Sequence, residues 1–250
     1  MPSSGHRSKL AHMLAGMLVA AMLALAASGC NAHISSRHSP RTVEFSGYTW
    51  RAKSSSEAVG PGPNHFSDSA RNVWVDSRGR LHLKLTRSNG RWYSAEVINT
   101  QSLGHGRYSF ELGSPVGHFD PNVVLALFTW SDDPTYSNRE IDIEFSRWAK
   151  RANPVNGQYV VQPYYHHRNR QRVRQPAVAP STQSFNWRPN AVTFASSSAV
   201  PSAWTYSGTD VPQPGSEHVH INLWLYRGAR PKNGRTAEVI VNSFSFSANS

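Results

Sequence analysis

The chain has 250 residues, with 26 Lys and Arg against 15 Asp and Glu, a formal net charge of +11, and one Cys. A single Cys excludes an internal disulfide. There is no internal repeat and no glycine loop of the nucleotide-binding kind.

In chain order, the first feature is a leader. Arg7 and Lys9 give a positive start, and residues 13–27 form an apolar run, short for a membrane span, that ends in small residues. The following Ala27-Ser28-Gly29-Cys30 resembles a bacterial lipobox, which implies that residues 1–29 are removed, that Cys30 is lipidated, and that the protein is exported to the cell envelope on a lipid anchor. Ordinary cleavage and secretion is the alternative. Residues 30–42 are polar and read as a tether, and residues 43–250 read as one large all-β domain. Two basic and no acidic residues lie in the leader, leaving 24 basic against 15 acidic, a net +9.

Within the domain, residues 73–76 and 81–85 flank a Ser-Arg-Gly-Arg turn and read as a hairpin, and Asn89-Gly90 marks the next turn. Further strands are predicted over 159–161, 192–194, 220–225 and 237–246. Hairpins at this density predict a sandwich.

Residues 140–144 read Glu-Ile-Asp-Ile-Glu and are followed by Phe145. A strand turns alternate side chains to opposite faces, so Glu140, Asp142 and Glu144 share one face while Ile141, Ile143 and Phe145 share the core face. Three carboxylates on one face repel and raise each other's proton affinity, which stability alone would select against. Such a face serves proton chemistry or a cation. Calcium would accept carboxylates, but the loop spacing of a calcium-binding hand is absent, so no metal ligand set and no cofactor is assigned, and structural calcium cannot be argued from these residues. Glycoside hydrolysis uses two carboxylates, about 5–5.5 Å apart in retaining enzymes and about 6.5–9.5 Å apart in inverting ones. Residues four apart on a flat strand are roughly 13–14 Å from each other. The two Glu side chains must therefore lean together over the shorter Asp142, on a bent strand of a concave sheet.

This motif and its flanks resemble glycoside hydrolase family 16, in its bacterial lichenase (endo-β-glucanase) branch. Ser94-Ala95-Glu96-Val97 through Gly104-His105-Gly106-Arg107-Tyr108 resembles paired strands ending in a Gly-x-Gly-x-Tyr turn. Leu127-Phe128-Thr129-Trp130 resembles a strand with a sugar-stacking aromatic, Ser184-Phe185-Asn186-Trp187-Arg188-Pro189 the Phe-x-Trp-x-Pro segment, and Ile221-Asn222-Leu223-Trp224 the Asn-Leu-Trp strand. The resemblance implies a β-jelly-roll sandwich of two antiparallel sheets, concanavalin A-like, with a concave glycan-binding cleft. By position it implies Glu140 as nucleophile, Glu144 as acid/base and Asp142 as the residue tuning them. Glu96, Trp130, Gln162, Tyr164, Asn222 and Trp224 are the implied substrate-binding residues. The chain departs from the family at Asn138, where Trp is frequent, and at Ile98, where a basic residue is expected.

Trp50, Trp74 and Trp187 are assigned to packing, and Trp204 to a loop at the cleft rim. Trp148 shares the parity of Glu140 and faces the cleft only if the strand runs on. Arg168, Arg170, Arg172 and Arg174 alternate, so on an extended segment they point one way, toward solvent or a polyanion. The expected partners are a polysaccharide, anionic in view of the +9 balance, and a membrane reached through Cys30. Export and the lack of any recognition motif argue against nucleic acid, and oligomeric state has no handle in the sequence. Two function classes follow: an endo-acting β-glycan hydrolase or transglycosylase, and a non-catalytic, lectin-like envelope protein.

Overall fold

The computed structural model describes residues 40–249. The leader, the tether to residue 39 and Cys30 lie outside the described residues. Seventeen strands, numbered in chain order, make two large antiparallel sheets and a small hairpin. The first sheet runs in the order β1 (Thr42–Phe45), β2 (Tyr48–Ala52), β7 (Ala95–Asn99), β16 (His218–Leu225), β9 (Val123–Trp130), β10 (Ile141–Phe145), β11 (Gly157–Val161) and β12 (Arg170–Val173). The second runs β15 (Ser202–Tyr206), β14 (Ala191–Ser197), β13 (Ser181–Arg188), β8 (Gly106–Leu112), β17 (Glu238–Ala248), β4 (Leu81–Lys84) and β3 (Val73–Val75). Strands β5 (Thr86–Ser88) and β6 (Arg91–Tyr93) pair across Asn89 and Gly90, both with positive φ, as a two-residue hairpin turn requires. The architecture is a jelly-roll sandwich.

Alternation along each strand builds the core between the sheets. Ile141, Ile143 and Phe145 of β10, Leu125 and Leu127 of β9, and Ile221 and Leu223 of β16 are fully buried there against the second sheet's Tyr108, Phe110, Phe185 and Trp187. Aromatic pairs add directional contacts: Tyr108 stacks on Phe185 at 4.5 Å, and Tyr159 on Phe194 at 5.0 Å. Each large apolar side chain removed from water contributes about 1.5–3 kcal/mol. The same alternation leaves the other face of the first sheet free for polar groups.

Several expectations are corrected. β7 and the Gly104–Tyr108 region do not form one pair: β7 bonds to β2 and β16, while β8 crosses into the second sheet beside β13 and β17. Trp204 is no rim loop; it sits on edge strand β15 of the second sheet, stacked on Phe194 at 5.3 Å. β10 ends at Phe145, and Trp148 has φ 45°, so the parity argument does not reach it. β1 starts at Thr42, inside the stretch read as tether, and the preceding Arg41 is tied to the carbonyls of Asp68 and Val73.

Candidate active site

The strand register fixes which side chains meet on the outer face of the first sheet. One row crosses it as Arg51, Ile98, His220, Phe128, Asp142, Val160 and Arg170. A second row contains Glu96, Asn222, Ala126, Glu144, Gln158 and Arg172. A cavity of about 810 Å³ opens on this face, and Glu140, Asp142 and Glu144 all line it.

Glu140 precedes β10 by one residue but is extended, with φ −87° and ψ 122°, so its side chain keeps the parity of Asp142. Its carbonyl accepts a bond from the Gln162 amide at 3.1 Å, which prolongs the ladder to β11. The turn before it is unusual. Tyr136, Ser137, Asn138 and Arg139 have φ of 53°, 52°, 61° and 52°, four successive non-glycine residues in the left-handed region. Each such residue stores strain of about 1–3 kcal/mol, and the surroundings hold it. Thr129 Oγ1 donates to the Arg139 carbonyl at 2.7 Å and accepts from the Ile141 N–H at 3.2 Å. Asn138 donates its amide to the Ser131 carbonyl at 2.9 Å. The buried Arg139 guanidinium pairs with Asp133 at 2.7 Å and donates to the Gln213 carbonyl at 3.0 Å. Asn at position 138 suits this geometry, since Asn adopts left-handed φ more readily than a bulky residue.

Burial is the main influence on the three carboxyls. It pushes Glu140 up to about 8, a hydrogen bond from Asp142 pulls it down, and the charge of Glu144 pushes it up again. Asp142 is raised well above its ordinary value by burial and then by the charges of Glu140 and Glu144, against the amide bond from Gln162 at 2.9 Å. Glu144 is raised by burial, which outweighs the Gln158 amide and the positive charge of Arg170. Asp142 therefore favours its protonated form, and a proton held there can be donated as a hydrogen bond to Glu140. Across the sheet Glu96 behaves differently. Burial pushes it up, but His220 at 2.8 Å and Lys53 at 3.0 Å outweigh that and hold it below the ordinary range.

Of the substrate-binding candidates, Glu96, Trp130 and Asn222 line the same cavity as the carboxylates. Gln162 stands beside it, bonded to Asp142. Trp224 lies on the same face of β16, one alternation beyond Asn222 and outside the lining. Tyr164 is exposed in the β11–β12 connection, also outside the lining, with the Arg170 guanidinium 5.6 Å from its ring. Sequence reasoning missed Gln158, which contacts Glu144, and the lining residues Arg51, Lys53, Phe128, His218 and His220. The signal for His218 and His220 was present, because both alternate with Asn222 on β16. His218 Nδ1, Asn222 Oδ1 and Trp224 Nε1 are buried without a protein partner, three polar atoms along one strand suited to a ligand's hydroxyl groups.

No family model and no curated protein sequence matches the chain. Solved structures do. A β-glucanase of Bacillus licheniformis aligns with TM-score 0.61 and 22% identity over 80% of this chain and 92% of its own. A pseudo β-1,3-glucanase of Mycobacterium tuberculosis gives 0.62 and 18% over 80% and 91%. A GH16 protein of Bacteroides ovatus, solved with a glucan product, gives 0.59 and 15% over 79% and 94%. The chain has the fold of the family 16 β-glucanases.

Proposed function

We propose that this protein is an endo-acting hydrolase of a β-linked polysaccharide, a β-glucan or related galactan, working by a retaining two-carboxylate mechanism. The observation that carries the proposal is the set of three carboxyls of raised proton affinity on one face at β10, Asp142 buried and Glu140 and Glu144 half-buried, in a fold shared with β-glucanases. Glu140 attacks the anomeric carbon as a carboxylate while Glu144 gives its proton to the departing glycosidic oxygen. The resulting glycosyl ester on Glu140 is cleaved by water, from which Glu144 takes a proton. Asp142 supports the first step by donating its proton as a hydrogen bond to Glu140, which favours the ionised nucleophile. Gln158 and Gln162 each occupy one carboxyl oxygen of Glu144 and Asp142 with an amide N–H. The proton of each acid is thereby directed to its other oxygen. A transglycosylase would use the same ester with a sugar hydroxyl in place of water.

The test is to trap the ester with an activated 2-fluoro glycoside and locate the label by mass spectrometry. Label on Glu140, absent from Glu140→Gln, is expected; label elsewhere, or none with a substrate that is turned over, overturns the assignment. A glycan-binding protein without catalysis is the second reading, and the same fold in a pseudo β-1,3-glucanase favours keeping it. We further propose export and lipid anchoring at Cys30, on the leader pattern alone. Metabolic labelling with palmitate should mark the wild type and not Cys30→Ser.

A further inference from the structure

Both rows that cross the first sheet end in a cation at β12, and the first row also ends in one at β2. Arg51 stands at the β2 end, Arg170 and Arg172 at the β12 end, and Asp142 and Glu144 lie between them. Lys53, next on the Arg51 face, is spoken for: it pairs with Glu96 at 3.0 Å and bonds to the Gly60 carbonyl at 2.9 Å. The other three differ. Among the described residues Arg51, Arg170 and Arg172 make no ion pair and donate no side-chain hydrogen bond, and all three are exposed. Arg170 is near enough to Glu144 for its charge to be felt there, and its guanidinium lies over Tyr164. The register puts it on the face of Asp142, just beyond the residues that line the cavity. The cavity itself extends from β10 across β9, β16 and β7 to Arg51 on β2, so its long axis crosses the strands.

Strand spacing converts this into a pattern. Neighbouring strands are about 4.8 Å apart, so Arg51 is roughly 19 Å from the carboxylate strand on one side and Arg170 and Arg172 are roughly 10 Å from it on the other. A β-linked sugar chain laid along this axis advances by about one strand spacing per residue. Its sugars two places beyond the cleavage point on one side and about four places beyond it on the other would meet a free guanidinium, a planar fork made for sulfate or carboxylate. The middle of the cleft, by contrast, offers carboxyls, His, Asn and aromatic rings suited to hydroxyls.

We infer that the cleft binds a glycan bearing anionic substituents, with Arg170 and Arg172 as one anion subsite and Arg51 as the other. This rests on the cleft being the glycan site proposed above, and it names the substrate class. The substituent is an acidic oxygen group, either a sulfate ester or a uronate carboxylate. A solvated cationic edge would attract any anion loosely; a subsite requires that the cations act together with the cleft.

The experiment compares binding of residues 31–250 to sulfated, uronic and neutral β-glycans by affinity electrophoresis at low and high salt, with reducing-end release measured on the same polymers. The variants are Arg170→Ala with Arg172→Ala, Arg51→Ala, and as a control Arg91→Ala on the separate hairpin β5–β6, none of whose residues line the cavity. Preference for an anionic over a neutral chain should fall at least tenfold in the double variant and several-fold in Arg51→Ala, with a shallower salt dependence in each. The sulfated and uronic arms say which group is read. Equal loss in Arg91→Ala, or anionic preference unchanged in the cleft variants, overturns the inference. Cleavage of neutral glycans without anionic preference would sink the inference and leave the hydrolase reading intact. Failure to cleave or bind any of the polymers would sink both.

Discussion

Asp142 and Glu140 show how much of this site is set by where a carboxyl is placed. A carboxyl taken out of water beside two others favours its proton, and the raised Glu140 and Asp142 follow from that. The consequence can be tested in solution. Asp142 pulls Glu140 down through a hydrogen bond, so Asp142→Ala should let Glu140 rise, moving the acidic limb of the kcat/KM profile to higher pH and lowering the rate about 10²-fold or more. An unchanged limb would show that Asp142 does not tune Glu140. At the same scale the sequence was informative where alternation sufficed: the face shared by Glu140, Asp142 and Glu144 could be read from the pattern Glu-Ile-Asp-Ile-Glu. Gln158 could not, because its role depends on the register between β10 and β11, which pairs it with Glu144 and which no local pattern states.

Among the elements, the left-handed turn at residues 136–139 has the largest influence on the site. It delivers Glu140 to the cavity, and Arg139 is its buried fastening through Asp133 and the Gln213 carbonyl. Arg139→Ala removes that fastening and lets a strained turn relax, so kcat should fall at least tenfold with a smaller change in KM, and Arg139→Lys should restore only part because Lys lacks the fork geometry. Gly215 offers an independent approach. A Cβ there would lie 2.5 Å from the Arg139 guanidinium, so Gly215→Ala should displace Arg139 and reproduce part of the same loss. Elements were legible in the sequence where turn chemistry is strong, as in β3 to β4 and at Asn89-Gly90. They were less legible where tertiary pairing decides. The crossing of β8 into the second sheet, and the placing of Trp204 on edge strand β15, depend on partners more than 50 residues away for β8 and on the stack against Phe194 for Trp204.

For the molecule as a whole, the carboxyl cluster links stability to pH. A carboxyl whose proton is held more tightly in the folded state than in the unfolded chain contributes stability that is present below the unfolded value of 4.5 and lost as pH rises toward about 8 in the case of Glu140. Glu140→Gln should therefore melt several degrees above the wild type at pH 8, at roughly 2–4 °C per kcal/mol for a domain this size, and close to it at pH 4.5. The sandwich bears this cost because its core is separate: Ile141 and Ile143 pack inward while the acids face out, and Ile143→Ala should cost about 2–5 kcal/mol at either pH. The sandwich was legible in the chain as a density of hairpins, whereas the cleft was legible only in part, since Arg51, His220 and Asp142 share a row through pairings between strands far apart in sequence.

The central claim is that this cleft cuts glycans with Glu140 and Glu144, and reducing-end release by residues 31–250 on a panel of β-glucans, galactans and acidic polysaccharides tests it most directly, beside Glu140→Gln and Glu144→Gln. The expected result is activity on at least one polymer class that falls by three orders of magnitude or more in both variants. Inactivity of the wild type on every polymer, with glycan binding retained in all three proteins, would contradict it and leave a binding protein in the same fold.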